Sequence, residues 1–316
     1  MSVGSRPIVP SRLAPGGVVT HGSTRQPTSV LGGYVALMKL RVVELLLITT
    51  VPTMVLAEEG WPSWSLVGVT LLGGTLAAGG ANAINMVVDR DIDALMERTR
   101  TRPLVTGLIS PRAALVFAIG LEVVAFAVLW AGANLLSAVL ALSATMFYVF
   151  VYTLWLKRTS RQNIVIGGAA GAVPVLVGWA AVENALAWEP VILFLAIFLW
   201  TPPHFWALAI RHADEYRAAE VPMLPAVAPM DQTIRQMLVY SVAFTLCTLV
   251  LVPVAGLGPI YWVAAVVLGL GFITSVVALG RDPTAQRSMR VFALSITYVT
   301  VLFVALAVDV LVRRGV

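Results

Sequence analysis

Three polar residues spaced four apart form the part of the sequence best suited to binding a metal ion. Asn85, Asp89 and Asp93 follow directly on the apolar stretch 66–88. On an α-helix, residues four apart lie along one face. Carboxylate and amide oxygens suit the hard cation Mg²⁺, which commonly also bridges to phosphate groups of a substrate. The alternative is a solvated helix end, but carboxylates at the mouth of an apolar helix are costly unless they bind something.

Four basic residues are suited to holding the phosphate oxygens that such a metal would attract. Arg98 and Arg102 are again four apart, and arginine binds phosphate through two parallel hydrogen bonds. Lys157 and Arg158 end a later apolar stretch. We predict that all four bind a diphosphate. For Lys157 and Arg158 the alternative is that they only fix the orientation of a membrane helix.

A second polar cluster spans residues 200–216. Its paired prolines, Pro202 and Pro203, predict a kink or a break in the helix that carries them. Asp214 is the predicted further metal ligand, with Glu215 as the neighbouring candidate and a pair of ordinary surface acids as the alternative. His204 is predicted to ligate a metal or contact a substrate, although a buried histidine with a purely structural role fits the sequence nearly as well.

The composition excludes an ordinary soluble enzyme. Only 12% of the 316 residues are charged and 59% are hydrophobic, whereas soluble domains carry ~25% charged residues. A single cysteine, Cys247, excludes a disulfide framework, and three histidines leave no room for a histidine-rich metal cluster. The net charge is +5, and the basic residues lie in short loops between the apolar stretches. This distribution suits binding to lipid head groups or to an anionic substrate better than binding to a nucleic acid.

Apolar windows of about 20 residues, the length that spans a bilayer, predict an all-α polytopic membrane protein. We place residues 1–33 in a disordered basic tail and residues 34–316 in one membrane domain. The sequence predicts nine transmembrane helices, at 36–57, 66–88, 112–131, 133–153, 164–182, 190–210, 237–257, 259–279 and 291–312.

The distribution of basic residues predicts the orientation of these helices. Nineteen of the 21 Lys and Arg residues fall on one side, which leaves only Arg313 and Arg314 opposite. The positive-inside rule then places the N-terminus and the active-site loops in the cytoplasm, and the C-terminus across the membrane. We predict the cytoplasmic membrane, with a mitochondrial inner membrane less favoured. Within the spans, Glu44 and Glu122 are candidates for functional carboxylates or for partners of a neighbouring basic residue.

The motifs resemble a known family. The run from Asn85 to Pro103 resembles the first aspartate-rich motif of the intramembrane UbiA-type prenyltransferases. The stretches 157–168 and 201–210, followed by Pro-Met-Leu-Pro at 222–225, resemble the protohaem IX farnesyltransferase branch of that superfamily. The resemblance covers roughly residues 34–312 and implies a nine-helix UbiA-type bundle.

The resemblance implies the chemistry. Farnesyl diphosphate and haem b would be the substrates, Mg²⁺ the cofactor, and haem O the product, made for terminal oxidases. Asn85, Asp89 and Asp93 would be catalytic as metal ligands, while His204, Trp206 and Tyr216 would contact the acceptor. Membrane lipid is an expected partner, as are haem A synthase or oxidase assembly proteins.

Two departures from the family pattern and three alternatives accompany this prediction. Ala218 stands where the second motif would have an aspartate four residues after Asp214, and Leu40 stands between Lys39 and Arg41 where the family tends to have proline.

The alternatives are a superfamily member that prenylates an aromatic acceptor such as 4-hydroxybenzoate, a transporter, and a non-catalytic scaffold. A 4-hydroxybenzoate enzyme would lack the Pro-Pro-His-Phe-Trp run.

Overall fold

The computed structural model describes residues 29–315 as an all-helical bundle without strands in that range. One helix continues through a π-helical segment, Phe147–Leu156, which joins α6 to α7. The α-helices are α1 (Val30–Met38), α2 (Leu40–Glu58), α3 (Trp64–Val88), α4 (Arg90–Leu95), α5 (Pro111–Gly132), α6 (Leu135–Met146), α7 (Lys157–Thr159), α8 (Asn163–Glu183), α9 (Trp188–Arg211), α10 (Ala213–Ala218), α11 (Leu224–Val227), α12 (Met230–Val254), α13 (Pro259–Arg281) and α14 (Ala285–Arg314).

The predicted all-α polytopic membrane bundle is confirmed, and the count of crossings in the described part is close to the nine predicted. Eight helices of the described part are long and apolar enough to span a bilayer, counting the continuous run Leu135–Thr159 as one. The 19-residue helix α2 crosses the same bundle, because Lys39 before it contacts Asn85 at one end and Glu59 after it pairs with Arg314 at the other. We call the end with Asn85 the polar end and the end with Arg314 the opposite end.

The first predicted span differs from the structure at its start. α1 begins at Val30, so helix already occupies residues assigned to the tail, and the predicted boundary at 34 is too late. The Ser29 hydroxyl accepts a hydrogen bond from the backbone N–H of Gly32 at 3.1 Å, which caps this helix. At Lys39 the backbone turns left-handed (φ 51°), and α2 starts in a new direction. The rest of the predicted tail, residues 1–28, lies outside the described residues.

Small residues let the helices of the bundle approach one another closely. α3 packs along α5, and α8 packs along α2, α6 and α9. An added Cβ at Gly178 would lie 2.7 Å from the backbone oxygen of Thr50 in α2, and one at Gly168 would lie 2.8 Å from the Thr201 side chain in α9. Glycine at these crossings therefore holds the helices that carry the polar residues at close range.

The paired prolines do not break the sixth crossing helix. α9 runs without interruption from Trp188 to Arg211, with Pro202 and Pro203 inside it. The hydroxyl of Thr201 donates to the carbonyl oxygen of Ile197 at 2.8 Å and so satisfies one backbone acceptor near the prolines. Residues 201–206 therefore lie within the length of a continuous α9, away from both of its ends.

Exposed tryptophans surround the opposite end, as expected for an interfacial belt. Trp61, Trp64, Trp188 and Trp262 all have a large exposed fraction. Tyr261, which precedes Trp262 in the sequence, is instead fully buried, and its hydroxyl donates to the carbonyl oxygen of Thr248 at 3.1 Å.

Candidate active site

The Asn85–Asp89–Asp93 stripe lies at the polar end as the spacing predicts. Asp89 ends α3 and precedes α4, and the backbone N–H of Asp93 donates to the carbonyl oxygen of Asp89 at 2.8 Å. The helical path therefore continues through the junction and keeps the three side chains on one face. All three are buried, and the Asn85 amide donates to Asp89 Oδ2 at 2.7 Å.

Lys157 reaches the centre of this stripe. Its ammonium group donates to Asp89 Oδ2 and forms a largely buried ion pair. The other carboxylate oxygen, Asp89 Oδ1, is buried and has no hydrogen-bond partner among the described residues; Arg158 approaches it only to 3.9 Å. A buried carboxylate oxygen without a partner is costly, so it is the vacant donor atom that a metal ion would satisfy.

The loop after α4 returns a second cation to the stripe. Arg102 donates to Asp93 Oδ2 at 2.5 Å, and the Asp93 side chain is only 4% exposed. The Thr99 hydroxyl donates to the Asp93 carbonyl oxygen at 2.9 Å, which holds the loop against α4. Asp89 and Asp93, the two buried carboxylates, are therefore each paired with a basic residue predicted to bind diphosphate.

Arg158 is bound differently from Lys157. Its two terminal nitrogens each donate to a different carboxylate oxygen of Asp91, both at 2.7 Å, and one also donates to the carbonyl oxygen of Val88 at 3.1 Å. These hydrogen bonds lower the pKa of the Asp91 carboxyl to about 2. Asp91 therefore fixes the guanidinium of Arg158 across the junction between α3 and α4.

Lys39 is a site residue that the sequence analysis missed. Its ammonium group donates to Asn85 Oδ1 at 3.0 Å from a different helix junction. Burial lowers the pKa of Lys39, and the positive charges of Arg102 and Lys157 lower it further. Arg102 and Lys157 thus each lie within electrostatic range of Lys39, and an anionic ligand bound beside Lys39 would relieve this repulsion.

The loop after α9 contacts the loop after α4, and Glu215 and Tyr216 are its residues near Arg98. Ile92 and Met96 pack with Ala219 and Val221 in a small apolar cluster that joins the loops. Arg98 lies within electrostatic range of both Glu215 and Tyr216. Burial raises the pKa of the Tyr216 hydroxyl, so this group stays protonated and can donate a hydrogen bond.

Asp214 is not brought to the stripe. Its side chain is 98% exposed and pairs with Arg217, three residues along the same helix. Glu215 turns inward instead: Oε1 accepts from His212 Nδ1 at 2.8 Å, and Oε2 is buried without a hydrogen-bond partner in the part of the chain that the structure describes. Adjacent residues on a helix point about 100° apart, and this rotation separates the two acids.

The side chains of His204 and Trp206, both in α9, are buried against neighbouring helices. The His204 ring stacks on Trp200 and on Phe292 of α14. Trp206 is fully buried against Tyr240 of α12, and its indole nitrogen has no hydrogen-bond partner. Of the three predicted acceptor residues, only Tyr216 lies on the polar loops.

The intramembrane carboxylate of Glu122 belongs to a separate contact. The Thr145 hydroxyl donates to Glu122 Oε1 at 3.2 Å and links α5 to α6. Gly80 of α3 faces the same carboxyl group, because an added Cβ there would lie 2.5 Å from Oε1. The Glu44 side chain, the other candidate, lies outside the described residues.

The donor set at the stripe fits Mg²⁺. No three His, Cys, Asp or Glu side chains in residues 29–315 lie together as a protein-only metal cluster. The stripe offers one amide oxygen and two carboxylates, and the Oδ1 atom of the Asp89 carboxylate has no hydrogen-bond partner in the described part of the chain. Mg²⁺ is usually held by one or two carboxylates together with substrate phosphates, and the adjacent basic residues are placed to receive those phosphates.

The characteristic sequence pattern of the UbiA prenyltransferase family matches residues 46–306. The chain belongs to the UbiA prenyltransferase family. A relative from Parafrankia sp. (strain EAN1pec) is 53% identical over 293 residues, covering 92% of this chain and 94% of its own. One from Frankia casuarinae is 55% identical over 283 residues, covering 89% and 98%. Both are named "Protoheme IX farnesyltransferase". The resemblance found in the motifs is confirmed.

Solved structures of more distant UbiA proteins share the fold. A digeranylgeranylglyceryl phosphate synthase structure has a TM-score of 0.74 at 16% identity, covering 89% of this chain and 98% of that one. A UbiA homologue from Archaeoglobus fulgidus, described as bound to GPP and Mg²⁺, has a TM-score of 0.62 at 18% identity, covering 87% and 99%. These likenesses confirm the predicted UbiA-type helical bundle.

Thr153 is a second residue that the sequence analysis missed. The Asn85 amide donates to its hydroxyl at 3.2 Å, and Thr153 lies in the π-helical segment one turn before Lys157. For Lys39 the available signal was the run Lys39–Arg41, which was noted only as a departure from the family pattern. No signal in the sequence pointed to Thr153, because hydroxyls are common in apolar helices.

Proposed function

We propose that this UbiA-family prenyltransferase transfers the farnesyl group of farnesyl diphosphate to a vinyl group of haem b in an Mg²⁺-dependent reaction, and so makes haem O for terminal oxidases. The observation that carries the proposal is the pairing of buried Asp89 and Asp93 with Lys157 and Arg102. Donor and acceptor identities come from the names of relatives 51–55% identical.

The proposed reaction begins with cleavage of the allylic C–O bond, whose electron pair leaves with diphosphate. The terminal carbon of the vinyl group then bonds to the farnesyl C1. The resulting cation, on the carbon next to the porphyrin, takes up water and loses a proton to give the hydroxyethylfarnesyl side chain. The protein must stabilise the leaving diphosphate and keep water from the first cation.

Each side chain of the stripe has a part in this proposal. Asn85, Asp89 and Asp93 would hold Mg²⁺, which when bound supplies positive charge at the leaving oxygens. Arg98, Arg102, Lys157 and Arg158 would bind the diphosphate oxygens, and Lys39 is added to this group by its contact with Asn85. From the second loop, inward-facing Glu215 replaces Asp214 as the proposed further acid near the site.

The ion pairs make binding of the two ligands interdependent. A carboxylate that binds a cation must give up its lysine or arginine, and that basic residue is then free to bind a phosphate oxygen. Either ligand alone would leave one partner of a buried pair without its counter-charge, which costs about 3–5 kcal/mol when uncompensated. The arrangement therefore favours the magnesium complex of the diphosphate over either component.

We also propose a membrane, an orientation and protein partners for the enzyme. The protein is an integral multi-pass membrane protein. We propose the cytoplasmic membrane, with the polar end in the cytoplasm, because almost all basic residues lie at that end. Haem A synthase and oxidase assembly proteins are the proposed protein partners, since they would accept or use the product.

Activity of the purified protein tests the proposal. We expect the detergent-solubilised enzyme to farnesylate haem b when given farnesyl diphosphate and Mg²⁺, and not to prenylate 4-hydroxybenzoate. Asp89→Asn should lower kcat by about 100-fold or more, because it removes charge that stabilises the leaving group. Asp231→Asn, at the exposed start of α12, is the matched control and should be unaffected.

Two outcomes would overturn the proposal. Prenylation of 4-hydroxybenzoate but not haem b would show that the acceptor assignment is wrong while the diphosphate site stands. An Asp89→Asn variant with full kcat would show that the stripe does not act in the reaction.

A further inference from the structure

A groove on the lipid-facing surface lies between α1 and α5 at the polar end. It has a volume of about 530 Å³ and is lined by Leu31, Tyr34, Arg112, Ala113, Val116 and Phe117. Arg112 is the charged residue of this set, and the other side chains are hydrophobic or aromatic. None of the residues placed at the stripe lines the groove, so it is a separate feature of the molecule.

Arg112 lies at the depth where lipid head groups meet the bundle. It is the second residue of α5, which starts at Pro111 and is long and apolar enough to cross the membrane. The Arg112 side chain is exposed, and no hydrogen bond or ion pair to its guanidinium is found among the described residues. Unlike Arg102 and Arg158, which are paired with aspartates, it is available to an anion from the membrane.

The groove runs from Arg112 towards the middle of the bilayer. Ala113, Val116 and Phe117 follow Arg112 on one side of α5, because residues three and four apart lie on the same face of a helix. Gly120 comes one turn beyond Val116, and no atom lies within 4 Å of a Cβ added there. Since α5 presents no side chain at this point, an apolar chain in the groove can continue along the helix.

The two walls of the groove belong to different helices. Tyr34 of α1 and Phe117 of α5 contact each other, at 4.9 Å between ring centroids and 59° between planes. On another side of α1, Gly33 packs against Ile109, whose Cδ1 would lie 2.9 Å from an added Cβ. An occupant of the groove would contact both helices and so strengthen the attachment of α1 to the bundle.

We propose that this groove binds an anionic phospholipid, with the phosphate at Arg112 and an acyl chain along Val116 and Phe117. The charge decides between the lipid classes. A guanidinium beside an apolar groove attracts a head group with net negative charge, whereas it repels the ammonium of a zwitterionic one. Arginine also binds phosphate through two parallel hydrogen bonds. Depth, charge and apolar lining therefore favour the same ligand.

Bound lipid would hold α1, and α1 leads directly to Lys39. Met38, the last residue of α1, packs against Gly79 of α3, and its carbonyl oxygen accepts from Asn82 Nδ2 at 3.2 Å. Lys39 follows and donates to Asn85 Oδ1. The lipid thus stabilises the position of a cation at the diphosphate site, a consequence that rests on the proposed function.

Native mass spectrometry of the full-length protein tests lipid binding without any substrate. With phosphatidylglycerol and phosphatidylcholine added in detergent, we expect phosphatidylglycerol to be retained in preference. Arg112→Gln should weaken its binding about fivefold, the contribution of one basic residue near anionic lipid. Val116→Trp, which places an indole in the groove and keeps Arg112, should weaken it as well. Arg290→Gln, exposed near the start of α14 at the same end, is the matched control.

Kinetics in nanodiscs test the link to Lys39. Nanodiscs of phosphatidylcholine with phosphatidylglycerol should give a lower KM for farnesyl diphosphate than nanodiscs of phosphatidylcholine alone. Arg112→Gln should lose this difference while keeping the wild-type kcat, and Arg290→Gln should keep both. Because coupling between two ligands is reciprocal, saturating farnesyl diphosphate should tighten the binding of phosphatidylglycerol.

Three results would count against the proposal. Equal retention of the two lipids, or full phosphatidylglycerol binding in either groove variant, would overturn the lipid assignment. Displacement of phosphatidylglycerol by farnesyl diphosphate would show that the groove binds the donor instead. An unchanged KM difference in Arg112→Gln would overturn the link to Lys39. Farnesylation of haem b by the wild type is measured in the same preparations, so the proposed function stands or fails separately.

Discussion

Buried charges at the polar end are arranged so that no carboxylate of the stripe lacks a cation. Asp89 and Asp93 are paired with Lys157 and Arg102, and yet one oxygen of Asp89 remains unpartnered. Buried ion pairs contribute little net stability, because desolvation offsets their attraction. Retaining two of them beside an unsatisfied oxygen is better explained by ligand binding than by folding.

Lys39 provides the sharpest single-residue test of this explanation. Its hydrogen bond to Asn85 joins the start of α2 to the stripe, and its charge is disfavoured by burial and by neighbouring cations. Lys39→Met should raise KM for farnesyl diphosphate by about tenfold or more, because a charged hydrogen bond is worth about 1.5–3 kcal/mol. Steady-state kinetics with saturating haem b measures the change.

Arg100→Ala is the control for Lys39→Met. Arg100 lies on the loop after α4, but it is exposed and pairs with Glu97, which is itself exposed, so its removal should leave KM unchanged. If both variants raise KM equally, the effect comes from the general positive field of the polar end. If neither does, Lys39 does not contact the diphosphate site.

At the scale of elements, the π-helical segment sets the register of the helix that carries Lys157. Segments of this kind insert an extra residue per turn and frequently occur at functional sites. Here the segment Phe147–Leu156 turns Thr153 to Asn85 and delivers Lys157 to Asp89. It also stacks Tyr148 on Tyr152, at 5.2 Å and 24°, beside the stripe.

Gly167 of α8 supports this segment from the other side. An added Cβ would collide with the Tyr152 ring, approaching Cγ to 2.9 Å. Gly167→Ala should therefore destabilise the protein by about 1–3 kcal/mol and raise KM for farnesyl diphosphate, because Tyr152 can move only by displacing the π-helical segment. Thermal unfolding in detergent and steady-state kinetics measure the two effects.

Gly171→Ala is the matched control, one turn further along α8. No atom lies within 4 Å of a Cβ added at Gly171, so alanine there should be neutral or stabilising by about 0.5–1 kcal/mol. Equal destabilisation by the two substitutions would show that α8 is sensitive to any added methyl group and that the contact of Gly167 with Tyr152 is unimportant.

The sequence predicted those features that depend on length or on spacing along one helix. Runs of about 20 apolar residues located the crossings, although α12 and α14 begin at Met230 and Ala285, before the predicted starts at 237 and 291. The four-residue spacing placed Asn85, Asp89 and Asp93 together. The π-helical segment was not predictable, because ten consecutive residues in a lipid-facing helix carry no periodic contrast. Neither was the contact of Lys39 with Asn85, since 46 residues separate them.

The sequence also did not predict which of the two acids in the second polar cluster points inward. Asp214 and Glu215 are adjacent and chemically similar, so composition and spacing do not distinguish them. The direction in which α10 packs turns one acid to solvent and the other inward. For His204 the sequence favoured a ligand only slightly over a structural residue, and it did not predict that the ring stacks between Trp200 and Phe292.

At the scale of the whole molecule, charge and helix direction together predict one topology. The loops after α3, α9 and α13 and the start of α2 lie at the polar end, which holds most basic residues, whereas α14 ends at the opposite end with Arg313 and Arg314. Moving this charge distribution into the opposite orientation would violate the positive-inside rule at every basic loop. The fold therefore predicts a cytoplasmic polar end.

Cysteine labelling in intact cells tests that topology. In a Cys247→Ser background, which removes the single native cysteine, the exposed positions Thr106→Cys at the polar end and Gly315→Cys at the opposite end report on the two sides. A membrane-impermeant maleimide should label Gly315→Cys in intact cells and Thr106→Cys only after permeabilisation. The reverse pattern would place the diphosphate site outside the cytoplasm, away from soluble farnesyl diphosphate, and would contradict the orientation derived from the basic residues.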